Sequence, residues 1–130
     1  MNFEIVTMCD AATVEGGKIN ILGAFDSINA PQFPVVHRDC ALAMRIRFES
    51  GEAEKFALEI NFVDIDGKSL LPDLKGNIEV REMPDPVAVP IVLRISQIKF
   101  EEAGKYLINV IVGGKLRCSV PFFARKIKMR

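Results

Sequence analysis

Leu93-Arg94-Ile95-Ser96-Gln97-Ile98-Lys99-Phe100-Glu101-Glu102-Ala103-Gly104-Lys105-Tyr106-Leu107-Ile108 is the stretch whose reading decides the fold. Leu93 and Ile95 are apolar at alternate positions, and Tyr106 and Ile108 repeat that spacing after a break at Glu102-Ala103-Gly104. Successive side chains of a strand point to opposite faces, so apolar residues two apart mark a half-buried strand. The stretch reads as strand, corner, strand, with the only tyrosine of the chain opening the second strand.

The same period runs outward in both directions. Cys40, Leu42, Met44, Ile46 and Phe48 alternate with Ala41, Ala43, Arg45 and Arg47; Phe56, Leu58, Ile60 and Phe62 alternate with Ala57, Glu59, Asn61 and Val63. No window of similar length carries a helical i, i+3, i+4, i+7 pattern as cleanly. Gly16-Gly17 divides strands at about 2–14 (with a break near Asp10) and 18–27, and Gly113-Gly114 divides 106–112 from 115–123. Paired glycines between apolar runs predict tight hairpins, because both turn positions take φ > 0 without steric cost. Asp66-Gly67 predicts a further turn after the 56–64 strand. Residues 29–39 and 83–90 carry two and three prolines and read as loops or edge segments, since proline has no ladder donor. The expected architecture is a single all-β domain over residues 1–130, a sandwich of about seven to nine antiparallel strands.

Composition bounds the rest. Hydrophobic residues make up 49% of the 130 and mean hydropathy is +0.20, enough apolar mass for a core. Seventeen basic residues balance seventeen acidic ones, so no net field draws the chain to nucleic acid or an anionic membrane. Cys9, Cys40 and Cys118 are an odd set without a C-x-x-C pair, which suits a reducing, cytoplasmic setting without disulfides. The N-terminus lacks the features of a signal peptide, and no 18-residue apolar run exists to span a membrane.

The segment from Leu93 to Ile108 resembles the E–F region of immunoglobulin-superfamily domains, where an apolar strand runs through an acidic-Ala-Gly corner into a strand-opening tyrosine. The resemblance implies a tyrosine corner at Tyr106, with Gly104 in the turn and the phenol hydrogen-bonded to backbone a few residues upstream. Ile108 stands where antibody domains place a cysteine, and the chain has no tryptophan, so a disulfide-free variant is expected. A second resemblance covers nearly the whole chain. The opening from Cys9 to Asp26, Phe33-Pro34 followed by His37, Asp64-x-Asp66-Gly67 and Gly104-Lys105-Tyr106 are similar to a bacterial domain family of unknown function of about this length. Its members commonly carry tryptophan where this chain has Phe25, which implies aromatic core filling.

Sites of chemistry are sparse. Three cysteines and His37 add up to a zinc set, but only His37 and Cys40 are close in sequence, so no cofactor or metal is expected. His37, Asp39 and Cys40 contain the residue types of a nucleophilic site, yet Cys40 leads an inward register and reads as core. Cys118 falls in phase with Leu116, Val120 and Phe122 and reads as a small buried hydrophobe. Asp64-Ile65-Asp66-Gly67 starts like a calcium loop, but the twelfth position is Lys75 rather than glutamate, so a turn is expected. The basic tail at 125–130 reads as a solvated terminus.

The apolar surplus is more informative. With Tyr106, Ile108, Val110 and Val112 inward, Leu107 and Ile111 point out beside Asn109, and Val63 and Phe123 fall on outward registers nearby. That face is either an interface or is covered by the N-terminal hairpin with Val6, Met8 and Leu22. The leading expectation is a non-enzymatic binding or assembly module for a protein partner or a second copy. Leu107, Ile111 and Phe123, with His37 in the 29–39 loop, are the candidate contact residues. A small-ligand or metal-binding sandwich is the alternative, and an enzyme the least favoured reading.

Overall fold

The computed structural model describes residues 1–52, 55–80 and 87–128, and among these every regular element is a strand. They are β1 (Asn2–Glu15), β2 (Lys18–Phe25), β3 (Ser27–Ala30), β4 (Val35–Phe48), β5 (Lys55–Asp64), β6 (Leu74–Glu79), β7 (Val87–Phe100), β8 (Gly104–Val112) and β9 (Lys115–Lys126). One sheet has the order β2-β1-β4-β7 and the other β3-β9-β8-β5-β6. Strands β1, β4 and β7 thus occupy the places of A, B and E of an immunoglobulin sandwich, and β5, β8 and β9 those of C, F and G. Cys9, Cys40 and Cys118 are all free thiols.

The alternation of the sequence becomes the core between the sheets. Leu42, Met44, Ile46 and Phe48 from β4 meet Leu58, Ile60 and Phe62 from β5 and Ile108, Val110 and Val112 from β8, all buried. Phe62, Phe100, Phe122 and Tyr106 form the aromatic centre: Phe100 stacks on Phe122 at 5.7 Å and meets Tyr106 edge-on at 5.0 Å. Removing one such side chain from water contributes about 1.5–3 kcal/mol. The paired glycines do as expected, with φ of 57° and 74° at Gly16 and Gly17 and 63° and 78° at Gly113 and Gly114.

Several expectations need correction. The sandwich is not wholly antiparallel, because β3 runs parallel to β9, with Ile28 opposite Ala124 and Ala30 opposite Lys126. Burial of Ile28 and Ala30 draws residues 29 and 30 of the expected loop or edge segment into a strand at the edge of the sheet. β4 begins at Val35, so His37 lies in a strand, and only residues 31–34 link β3 to β4. Residues 83–86 of the other proline-containing stretch lie outside the described residues, but Pro90 sits within β7, an edge strand that tolerates it.

Two irregularities shape the four-stranded sheet. Arg38 faces Gln97 and Cys40 faces Ile95, leaving Asp39 and Ser96 out of the ladder, with Asp39 at φ 51°. The break reverses the side-chain phase in both strands, so Cys40 and Ile95 are buried as well as Ile98 and Phe100. The second lies at Asp10 and Gly23. Pairing of β1 with β4 ends at Cys9–Ala41, and beyond it β1 pairs with β2 alone. Gly23 has φ 67°, and a Cβ there would lie 2.3 Å from Asp10 Oδ2. From this point the hairpin turns over the outside of its own sheet, where Ala12, Ile19 and Ile21 pack on Cys9, Ala41, Ala43 and Val92.

Candidate functional site

The hairpin therefore covers the face opposite to the one in question. Val6 and Met8 pack into the core between the sheets, and Leu22 is 70% exposed. Among the described residues the outer face of the five-stranded sheet carries no such cover: Val63, Leu107, Ile111 and Phe123 belong to neither packed cluster and are half-buried.

Register arranges that face in rows. Val63, Leu107 and Pro121 lie side by side across β5, β8 and β9. The next row is polar, Asn61–Asn109–Ser119, with Ser119 Oγ donating to Asn109 Oδ1 at 2.7 Å. Glu59–Ile111–Leu116 follows, because a shift between Val110 and Ile111 places Leu116 opposite Ile111. Leu116 is thus turned outward and 61% exposed, against the inward phase expected from Cys118, Val120 and Phe122. The extra residue between Cys118 and Leu116 is invisible to a period-two reading, since nothing in the sequence announces a bulge there. At the other end Phe123 faces Lys105, and the Arg125 guanidinium carbon sits 5.2 Å from its ring centroid. The surface is two apolar bands around a polar centre, with a cation–π pair at the rim.

The tyrosine corner is formed. Tyr106 is buried, and its hydroxyl donates to the Glu102 carbonyl at 2.5 Å. Burial holds its pKa above the ordinary value, and the charges of Asp64, Glu102 and Glu101 add to the effect. Gly104 opens β8 opposite Ala124, and Ile108 is buried opposite Val120, where its apolar side chain serves as core.

The nucleophile reading does not assemble. Cys40 is buried, and desolvation together with the charges of Cys9, Asp10 and Asp39 pushes its thiol up to about 11, so it is protonated at neutral pH. The His37 ring lies 5.3 Å from that of Phe25, and among the described residues no hydrogen bond joins it to Cys40. His37 is far in the topology from the Leu107 face, so the structure does not bring the four candidate contact residues together. Asp64 is a turn former: its Oδ1 accepts from the backbone N–H groups of Asp66 and Lys68, each at 2.9 Å. Among the described residues no three His, Cys, Asp or Glu side chains converge as a metal site. Where the hairpin overhangs β4 and β7, a recess of about 450 Å³ is lined by Asp10, Thr13, Asp39, Arg94 and Ser96. No helix is long and apolar enough to cross a membrane.

Residues 4–125 match the model of DUF6941, a family of unknown function. No curated protein matches the sequence. Among solved structures, the chain is similar to the Pseudomonas fluorescens alkylpurine DNA glycosylase AlkC bound to DNA containing an abasic site analog, at 13% identity and a TM-score of 0.39. The match covers 92% of this chain but only 30% of that one.

Proposed function

The chain belongs to the family DUF6941, and we propose that it is a non-enzymatic protein-binding module whose contact surface is the outer face of the five-stranded sheet. One observation carries this reading: two apolar bands, Val63–Leu107–Pro121 and Ile111–Leu116, stand on a face that the hairpin leaves open while it covers the other sheet. Apolar side chains standing out on a sheet face, here in two bands on either side of the Asn61–Asn109–Ser119 row, support an interface. The buried, protonated Cys40 and the lone His37 give no support to a catalytic reading. Two buried free thiols support a reducing, cytoplasmic setting.

The test is comparative capture. Tagged protein and a Leu107→Lys/Ile111→Lys variant are incubated with extract of the native cell, and bound proteins are identified by mass spectrometry. A partner held by the unmodified protein and lost from a folded variant supports the reading. Partners held equally by both refute it. A small-ligand reading draws on the recess beside Arg94, and a thermal shift with a metabolite set, abolished by Arg94→Ala, is the result that would favour it.

A further inference from the structure

The two irregularities of the four-stranded sheet open onto the same recess, the one of about 450 Å³ beside Arg94. Pairing of β1 with β4 stops at Cys9–Ala41, and beyond it the hairpin overhangs the outer face of β4 and β7. Beneath the overhang Asp39 and Ser96 leave the ladder together, with Asp39 in left-handed backbone at φ 51°. A bulge re-aims the side chain it carries, and a non-glycine residue stays at positive φ only where its surroundings hold it there. The other irregularity supplies a second carboxylate, since Asp10 occupies the space that a Cβ at Gly23 would fill. Beyond burial, the charges of Cys9, Asp10 and Asp39 push the Cys40 thiol up, so both carboxylates stand around that one residue. Arg94, opposite Ala41 in the ladder, brings a third charge to the same space.

These charges do not satisfy one another. Among the described residues Asp10, Asp39 and Arg94 enter no ion pair, although opposite signs share the recess. Between them the lining is apolar, with Ala12, Ala41 and Ile95 buried. The volume falls within the range of small-molecule sites, about 300–1,000 Å³, and an apolar lining with a few placed polar groups is their usual make-up. Two carboxylates against one guanidinium leave the recess with one negative charge in excess. A metal ion does not fit, because among the described residues no three His, Cys, Asp or Glu side chains converge.

We propose that this recess binds a small molecule carrying one carboxylate and two cationic nitrogens on an aliphatic stem, the chemistry of a basic amino acid. The Arg94 guanidinium takes the ligand carboxylate in a planar, two-pronged pair. Asp10 and Asp39 each accept a charge-assisted hydrogen bond from a cationic nitrogen, and the stem lies on Ala12, Ala41 and Ile95. Such a ligand offsets all three charges, whereas an acidic one brings a second negative group to a recess already negative. The site lies on the other sheet from the Leu107 face, and either surface can fail its test while the other passes.

Titration calorimetry on the full chain tests the proposal, with L-lysine, L-ornithine and L-arginine as probes. Saturable binding of at least one, with Kd below about 1 mM, is expected. Two lysine analogues separate the contacts: norleucine lacks the side-chain ammonium and cadaverine lacks the carboxylate, and each is expected to bind at least about tenfold more weakly. Arg94→Gln should weaken lysine by a similar factor without weakening cadaverine. Asp39→Asn keeps a residue that tolerates left-handed backbone and should weaken lysine and cadaverine alike. Asp10→Asn serves if that variant does not fold, and unfolding midpoints read alongside show which variants are native. No saturable binding of any of the three basic amino acids at about 10 mM overturns the proposal. So does norleucine binding as tightly as lysine, or lysine affinity unchanged in folded Arg94→Gln and in a folded aspartate variant.

Discussion

Replacing Tyr106 by phenylalanine isolates one hydrogen bond in an otherwise unchanged site. The ring remains, and with it the edge-on contact to Phe100 at 5.0 Å. What disappears is the donation from the phenol to the Glu102 carbonyl, the bond that fixes the β7–β8 corner. A net contribution of about 0.5–1.5 kcal/mol is expected for such a bond. The carbonyl left behind lies at an exposed corner where water can replace the phenol, so the desolvation penalty of a buried orphan does not apply. For a domain of this size the loss corresponds to a fall in Tm of roughly 2–8 °C. Chemical denaturation should show a lower midpoint at unchanged m-value. An undiminished midpoint, or a loss above about 3 kcal/mol, which would signal collapse of the aromatic cluster, refutes the reasoning.

The same residue offers a spectroscopic check. Tyr106 is the only tyrosine, and the chain lacks tryptophan, so phenolate absorbance reports this group alone. Its folded-state pKa is raised by burial, whereas the unfolded chain releases the proton near 10. The stability this shift represents is whole below pH about 10 and is lost as pH rises through the folded-state value. The phenolate band of the native protein should therefore appear above the ordinary tyrosine midpoint, and the alkaline loss of stability should shrink in Tyr106→Phe. A native midpoint at or below 10 contradicts the burial argument.

Other expectations follow from the irregularities and the thiols. Gly23→Ala forces a side chain into a left-handed position and against Asp10, with an expected cost of about 1–3 kcal/mol; equilibrium denaturation reads it, and a neutral result would mean the hairpin bend is not fixed there. Native protein should expose one reactive thiol to a disulfide reagent, the half-buried Cys118, while Cys9 and Cys40 react only on unfolding. Rapid modification of Cys40 at neutral pH in folded protein would contradict its raised pKa. Leu107→Lys should change stability by no more than about 0.5 kcal/mol, as expected for a surface position outside the core, so its effect on partner capture is not a folding defect; a large fall in Tm would show that this side chain packs more deeply than its half-exposure allows.

How much of this was legible in the sequence depends on whether a feature is periodic. The inward set Leu42–Met44–Ile46–Phe48 and its counterparts in β5 and β8 could be read directly, because alternation is the physical record of a strand with one face in the core. The corner tyrosine was legible for a similar reason: a glycine two residues before an isolated tyrosine, after an acidic break, is a local arrangement. Interruptions of the period were not. Ile95 and Ile98 are both buried only because Asp39 and Ser96 leave the ladder together, a concerted event on strands almost sixty residues apart. Leu116 went astray through the shift between Val110 and Ile111. β3 was hidden by the prolines that follow it: the sequence shows Pro31 and Pro34 but not that Ile28 and Ala30 find a parallel partner in β9.

The placement of the hairpin shows where period-two reasoning stops. Alternation states that one side of a strand is apolar and says nothing about what lies on the other side. For β4 that other side begins with Ala41 and Ala43, small enough to admit a second layer, and only the bend at Asp10 and Gly23 brings Ile19 and Ile21 down upon them. For β8 it is Leu107 and Ile111, larger and equally apolar, with no bend nearby to deliver a cover. Among the described residues one hairpin shields an outer face, and its attachment through β1 to β4 commits it to the four-stranded sheet. The openness of the Leu107 face thus follows from connectivity, and the turn at Asp10 and Gly23 governs only the cover over the outer face of the four-stranded sheet. A hairpin loosened by Gly23→Ala would uncover Ala41, Ala43 and Cys9 and leave the Leu107 face as it was, so thiol labelling of Cys9 should rise while capture through Leu107 is unchanged.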